Sequence, residues 1–146
     1  MTRARVAAAA LWAATALGCT TTHERLWGRL DELELPADYV LYEEKAEGTR
    51  LGLFGDRLRV TRRYRSPRSF EATCAEVRAA GERFATGSAV FHQHEGELFP
   101  VCSITFSRRG GAGDINVSGP FGPGVAEQLG IPDRTDVLVD ARMMGD

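Results

Sequence analysis

Two stretches in the middle of the chain show opposite hydrophobic periodicities. Between residues 70 and 84, apolar or small residues recur at alternating intervals of four and three, which is the pattern of one helix face: Phe70, Cys74, Val77, Gly81 and Phe84. Between residues 98 and 106, apolar residues occupy even positions, which is typical of a half-buried strand: Leu98, Cys102, Ile104 and Phe106. The sequence therefore predicts a helix over residues 68–85 and a strand over 97–107, each with one apolar face.

Shorter alternating segments separated by glycine predict further strands at residues 38–45, 50–54, 56–65, 88–94, 114–118 and 136–142. Gly55 and the Glu95-Gly96 pair mark hairpin turns. The glycine-rich residues 109–113 read as another turn, 119–124 as an irregular loop and 125–129 as one helical turn. This order predicts an α+β fold in which an antiparallel β-sheet carries one main helix on one face.

A separate amphipathic segment precedes the first strand. Leu26, Trp27, Leu30 and Leu33 recur at helical spacing, and Pro36 ends the segment. A helix that lies on anionic lipid is usually basic, whereas this one carries several acids. We therefore expect the apolar side chains to dock onto the folded domain.

The N-terminus has the plan of a bacterial export signal. Arg3 and Arg5 precede a run of uncharged, mostly apolar residues from 6 to 17. Twelve residues rise only about 18 Å as a helix, which is too short for a hydrocarbon core of about 30 Å. A cleaved signal peptide is therefore favoured over a spanning anchor.

The run ends in Ala16-Leu17-Gly18-Cys19, which resembles the lipobox of bacterial lipoproteins. That family prefers leucine three residues before the cysteine, where this chain has Ala16. The resemblance covers residues 1–22 and implies that Cys19 becomes a diacylglyceryl-modified N-terminus anchored to a bacterial membrane. It divides the chain into a signal peptide (1–18), a lipidated tether with the amphipathic segment (19–35) and one domain (36–146). Ordinary secretion after Ala16 and an uncleaved anchor are the alternatives.

The chain contains three cysteines. Lipidation of Cys19 leaves Cys74 and Cys102, both on faces expected to turn inward. Because export places the chain in an oxidising compartment, we expect these two to form a disulfide. Two buried free thiols are the alternative.

Length and charge limit the function classes. The chain has 146 residues, 16 of them glycine, and a formal net charge of −2. This length fits one domain, and the acidic balance argues against a general nucleic-acid binder.

One segment is strongly basic: residues 57–68 contain six arginines and no acid. Strand alternation puts Arg57, Arg59, Arg63 and Arg65 on one face. They could bind an anion, a lipid headgroup or an acidic partner. Alternatively, acids of the preceding strand pair with them, for which Glu43 and Glu44 are the candidates.

No catalytic or cofactor-binding constellation is evident in the sequence. His92 and His94 share a strand face and are weak metal candidates, but a closed zinc site needs about four ligands. Phosphate-loop, nucleophile-elbow and HExxH motifs are missing from the sequence. We expect a non-catalytic binding or accessory module of the cell envelope without a cofactor, held in the outer membrane or on the outer face of the cytoplasmic membrane. The alternatives are an anion- or small-ligand-binding module that uses the arginines and a minor metal site at the histidines.

Overall fold

The computed structural model of the protein describes residues 22–48, 57–130 and 134–145. Predictions that concern residues 1–18, Cys19 and the strand at residues 50–54 lie outside these ranges. The elements in chain order are α1 (His23–Leu30), β1 (Val40–Glu47), β2 (Arg59–Ser66), α2 (Phe70–Phe84), β3 (Ala89–Glu95), β4 (Pro100–Arg108), β5 (Gly111–Ser118), α3 (Pro123–Leu129) and β6 (Val137–Gly145).

The described strands form one antiparallel sheet of six strands in the order β1-β2-β6-β5-β4-β3. Helix α2 packs on β4 and β5, and α1 packs on β6 and β2. Both helices contribute to the same core, so both cover the same face of the sheet. The predicted α+β fold with one main helix on an antiparallel sheet is confirmed.

Helix α2 forms where the periodicity predicts it. The Ser69 side chain caps its start by accepting a hydrogen bond from the backbone N–H of Ala72 at 3.3 Å. Its apolar stripe is buried against the sheet, with Val77 completely inaccessible. At Gly81 a Cβ atom would lie 2.8 Å from the side chain of Ile104, so the glycine sets how closely the helix approaches β4.

A disulfide joins α2 to the sheet. Cys74 and Cys102 are bonded to each other, with 6.2 Å between their Cα atoms. Both are buried in the core cluster. The bond therefore fixes the main helix to the first part of β4, as the cysteine pattern predicts.

Helix α1 is part of the core. Leu26 and Leu30 are almost completely inaccessible, and Trp27 packs partly buried against the same cluster. The Thr22 side chain caps the helix by accepting from the backbone N–H of Arg25. Its first residue is also fixed, because the His23 ring nitrogen Nε2 lies 2.8 Å from the carbonyl oxygen of Glu47 at the end of β1. The amphipathic segment thus docks on the sheet.

The partner of β2 differs from the expected one. The sequence predicts a hairpin around Gly55, whereas β2 pairs directly with β1, with Glu47 opposite Arg59. Strand β2 also begins at Arg59 rather than at residue 56. Strand β6 occupies the other side of β2, so the predicted pairing of β2 with residues 50–54 is wrong, while Gly55 itself lies outside the described residues. The pairing is set by matching charged and apolar positions over the whole length of both strands.

The glycine-rich turn is shorter than expected. Arg108 pairs with Gly111, so only Arg109 and Gly110 form the connection, and Gly110 takes a positive φ of 80°. Gly113 belongs to β5, where a Cβ atom would lie 2.7 Å from the ring of Phe106. The glycines therefore make room for an aromatic side chain in the core instead of lengthening the turn.

Removing the disulfide should destabilise the fold through either cysteine. On the chain-entropy model, a bridge that closes a loop of this size contributes about 3.5 kcal/mol. We expect Cys74→Ser and Cys102→Ser each to lower the free energy of unfolding by about that amount, and the double variant to lower it little further. Urea unfolding of the four proteins measures this, and additive losses would contradict a bridge.

Candidate functional site: the open face of the sheet

The face of the sheet opposite α1 and α2, here called the open face, is mostly polar. Strand register aligns one residue from each strand in a row across it: Glu43, Arg63, Asp140, Asn116, Ser103 and His92. The neighbouring row is Lys45, Thr61, Arg142, Asp114, Thr105 and Val90. Side chains of opposite charge therefore stand next to each other on adjacent strands.

The predicted arginines of β2 lie on this face, with one exception. Arg59, Arg63 and Arg65 project from it together with Thr61, whereas Arg57 precedes the strand. Acids from the flanking strands pair with them. Arg63 contacts Glu43 at 2.7 Å and Asp140 at 3.4 Å.

The outer arginines of this group have partners of their own. Arg59 contacts Glu47 at 2.5 Å, and Arg65 contacts Asp136 at 3.5 Å. The cross-strand pairing of arginines with acids, one of the two interpretations of the sequence, is therefore present: Glu43 and Glu44, the two predicted acids, each contact an arginine of β2, and Glu47 adds a third pair.

Arg62 points to the other side of the sheet, toward α1. It contacts Asp31 at 2.6 Å and Glu44 at 2.7 Å, and its guanidinium carbon lies 5.2 Å from the centre of the Trp27 ring. The alternation of β2 separates Arg62 from its neighbours, and its pairing with Glu44 is one of the predicted cross-strand pairs, but the sequence does not reveal the further contacts with Asp31 and Trp27. Arg62 thus joins the amphipathic segment to the sheet.

A polar cavity of about 210 Å³ opens on the open face. Four of its six lining residues are cationic: Lys45, Glu47, Arg59, Thr61, Arg63 and Arg142 line it. Glu47 contacts both Lys45 and Arg59 closely. Arg142 is held more loosely, at 3.9 Å from Asp114 and 3.6 Å from Asp140. The cavity therefore has donors with room to reorient toward an anion.

Asp114 is the carboxylate most withdrawn from water in this region. Partial burial raises its pKa above the usual aspartate value, against the opposing effects of Arg142 and of a hydrogen bond from the Asn116 side-chain amide. The nearby charge of Asp140 raises the pKa further. Desolvation therefore outweighs the attractive contacts in setting the pKa of Asp114.

Arg134 closes the end of the open face beyond Ser118. Its guanidinium donates to the Ser118 hydroxyl at 3.0 Å and to the Gly119 carbonyl at 2.8 Å, and it stacks near the rings of Phe121 and Phe99. Desolvation lowers its pKa. No periodic pattern marks residue 134, so this contact could not be predicted from the sequence.

His92 and His94 both project from the exposed part of β3 on the open face. They stand opposite Ser103 and Val101 of β4. Among the described residues there is no group of three or more histidine, cysteine, aspartate or glutamate side chains that could hold a metal ion. The two imidazoles therefore have no further ligand of these types beside them within the described ranges.

Within residues 22–48, 57–130 and 134–145, none of the helices has the length and apolar character needed to cross a membrane. The chain matches no protein-family model, and neither a curated protein nor a solved structure shows significant similarity to it.

The burial of Asp114 makes a prediction about pH. A carboxyl whose pKa is higher in the folded than in the unfolded state stabilises the fold when protonated, and this contribution declines as pH rises from the unfolded value, about 3.9, through the folded one. Because asparagine stays neutral, the free energy of unfolding of the wild type should fall relative to that of Asp114→Asn as pH rises from 3 to 7. Urea unfolding of both proteins at several pH values measures the difference. A difference that is constant, or that changes in the wild type's favour, would contradict the assignment.

Proposed function

We propose that this protein is a lipoprotein of the bacterial cell envelope, anchored through Cys19, whose folded domain is a non-catalytic module that binds another envelope protein through the open face. The lipobox-type residues 16–19 support the anchor. The disulfide between Cys74 and Cys102 supports export, since such bonds persist in oxidising compartments.

The observation that carries the binding role is the asymmetry of the sheet. One face is covered by α1 and α2, while the other presents two aligned rows of charged and polar side chains. Many of these charges are already held by neighbours, as in the contacts of Arg63 with Glu43 and Asp140. Because these side chains are already held in place, they lose little further conformational entropy on binding. A fixed pattern of charges also favours a partner with a complementary pattern.

The same surface explains why a protein is the preferred partner. An extended, nearly charge-balanced face gives specificity through the position of each charge rather than through net attraction. A general polyanion would instead be recognised by a surface of one sign. The pairing of acids and arginines across β1, β2 and β6 fits the first kind of recognition.

Reversing one central charge should weaken the complex. We expect Arg63→Glu to lower affinity about tenfold or more, because like charges then face each other at the centre of the interface. Arg78→Glu is the matched control: it also breaks an arginine–glutamate contact, with Glu82 at 2.9 Å, but on α2. The measurement is the yield of partner after chemical crosslinking in intact envelopes and purification, normalised to the folded protein.

Equal yields from the two variants would contradict binding through the open face. Thermal unfolding of both variants shows that each is folded before the yields are compared. An effect of Arg63→Glu that persists unchanged at high salt would also contradict an interface based on charge, because salt screens such interactions.

A second candidate function, anion binding, is favoured by the cavity between Lys45, Arg59 and Arg142. It predicts that millimolar phosphate raises the melting temperature and that Arg142→Gln abolishes the shift, while Arg65→Gln, outside the cavity, preserves it. Differential scanning fluorimetry measures the shift. If phosphate gives no shift in the wild type, the cavity does not bind this class of anion.

A further inference from the structure

The lipidated cysteine would stand very close to the folded domain. Thr22 is fixed to α1, because its hydroxyl caps the helix and its carbonyl accepts from the backbone N–H of Leu26 at 3.0 Å. Only three residue steps separate Cys19 from Thr22, and even a fully extended chain covers no more than about 11 Å over that distance. A domain held by such a link cannot move far from the membrane surface.

The attachment point also has a defined place in the fold. His23 contacts the carbonyl oxygen of Glu47, the last residue of β1. At the other end of α1, the Arg29 guanidinium donates to the carbonyl oxygen of Gly110 in the turn between β4 and β5. Helix α1 therefore crosses the covered face near one end of the strands. At that end β1, β4 and β6 finish, and β2 and β5 begin.

Charge is distributed unevenly between the two ends of the sheet. Among the described residues of the strands, turns, α1 and α3, the end beside α1, here called the basic end, has eight cations and five acids: Arg25, Arg29, Lys45, Arg57, Arg59, Arg108, Arg109 and Arg142 against Glu24, Asp31, Glu32, Glu47 and Asp114. The opposite end, here called the acidic end, has seven acids and four cations: Asp38, Glu43, Glu95, Glu97, Glu127, Asp136 and Asp140 against Arg63, Arg65, Arg68 and Arg134.

The short link and the charge distribution lead to the same orientation. Cations near an anionic bilayer are attracted to its headgroups over about one Debye length, which is about 8–10 Å at physiological salt. The link keeps the basic end within a similar distance. The acidic end, which lies about 26 Å away along an eight-residue strand, is repelled by the same surface.

The geometry points to an orientation in which the basic end of the domain rests on the anionic headgroups of the membrane that holds Cys19, with the strands roughly upright and the acidic end directed away. This inference rests on the lipid anchor of the proposed function. It adds that the basic end is a second binding surface of the folded domain, which contacts the bilayer. The open face then stands beside the membrane surface and is free for a partner.

The mature chain contains a convenient reporter of this orientation. Of the two tryptophans, Trp12 lies in the signal peptide, so cleavage before Cys19 leaves Trp27 of α1 alone. The matched reporter for the acidic end is Leu129→Trp in a Trp27→Phe background. Leu129 is 39 % exposed on α3, which connects β5 and β6 at that end.

Both lipidated proteins are reconstituted into vesicles of phosphatidylcholine and phosphatidylglycerol that contain a lipid with a nitroxide on its headgroup. We expect Trp27 to lose most of its emission and the tryptophan at residue 129 to keep nearly all of it. Equal quenching of the two, or stronger quenching at residue 129, would overturn the orientation.

A charge reversal separates electrostatic contact from mere proximity. The double variant Arg57→Glu, Arg109→Glu should reduce the quenching of Trp27 in the anionic vesicles to the level seen in pure phosphatidylcholine. The same variant should change little in phosphatidylcholine itself. Unchanged quenching in the anionic vesicles would overturn the contact between the basic end and the headgroups.

Failure of the anchor itself gives a different result. The mass of each purified protein shows whether Cys19 carries lipid before reconstitution. A chain without lipid that does not float with the vesicles would refute the lipid anchor and, with it, the orientation. A lipidated chain with equal quenching at both positions would refute the orientation alone.

Discussion

The bond between Cys74 and Cys102 is the constraint on which the rest of the structure depends. It joins the N-terminal part of α2 to β4, and two turns further along the helix Gly81 and Ile104 leave no space between helix and sheet. The helix therefore stays on one face of the sheet, and that face becomes the core that α1 also covers. The other face remains polar and available. Disulfides persist mainly in oxidising compartments, and the bond is therefore one of the observations that support the export we propose.

The elements with strong periodicity could be predicted from the sequence, and those that depend on distant pairing could not. Helix α2 and strand β4 each show an apolar stripe that only one type of structure satisfies, so their positions and their inward cysteines follow from local pattern. The pairing of β1 with β2 is different, because it matches residues up to 25 positions apart, such as Val40 and Arg65. The contact of Arg62 with Glu44 belongs to the predicted cross-strand pairs, whereas its contact with Asp31 and those of Arg134 with Ser118 and Gly119 escaped prediction, since no local pattern marks them.

The candidate site was predictable in composition but not in arrangement. Alternation correctly places Arg59, Arg63 and Arg65 on one face, yet the sequence cannot show that β6 lies beside β2 and brings Asp140 and Arg142 into the same rows. This neighbour turns a basic strand into a surface of alternating charge. The sheet then has three distinct regions. One face packs against α1 and α2 and forms the core. We propose that the open face binds a partner, and we infer that the basic end contacts lipid.

The central claim is that an oxidised domain is held to a membrane by a lipid on Cys19. The most direct measurement is the intact mass of the native protein extracted from membranes, recorded with and without reductant. Our account predicts a chain that starts at Cys19, carries a diacylglyceryl group and gains two hydrogens on reduction. A chain that starts near Leu17 without lipid, or one that retains residues 1–18, would contradict the anchor, and an unchanged mass on reduction would contradict the disulfide.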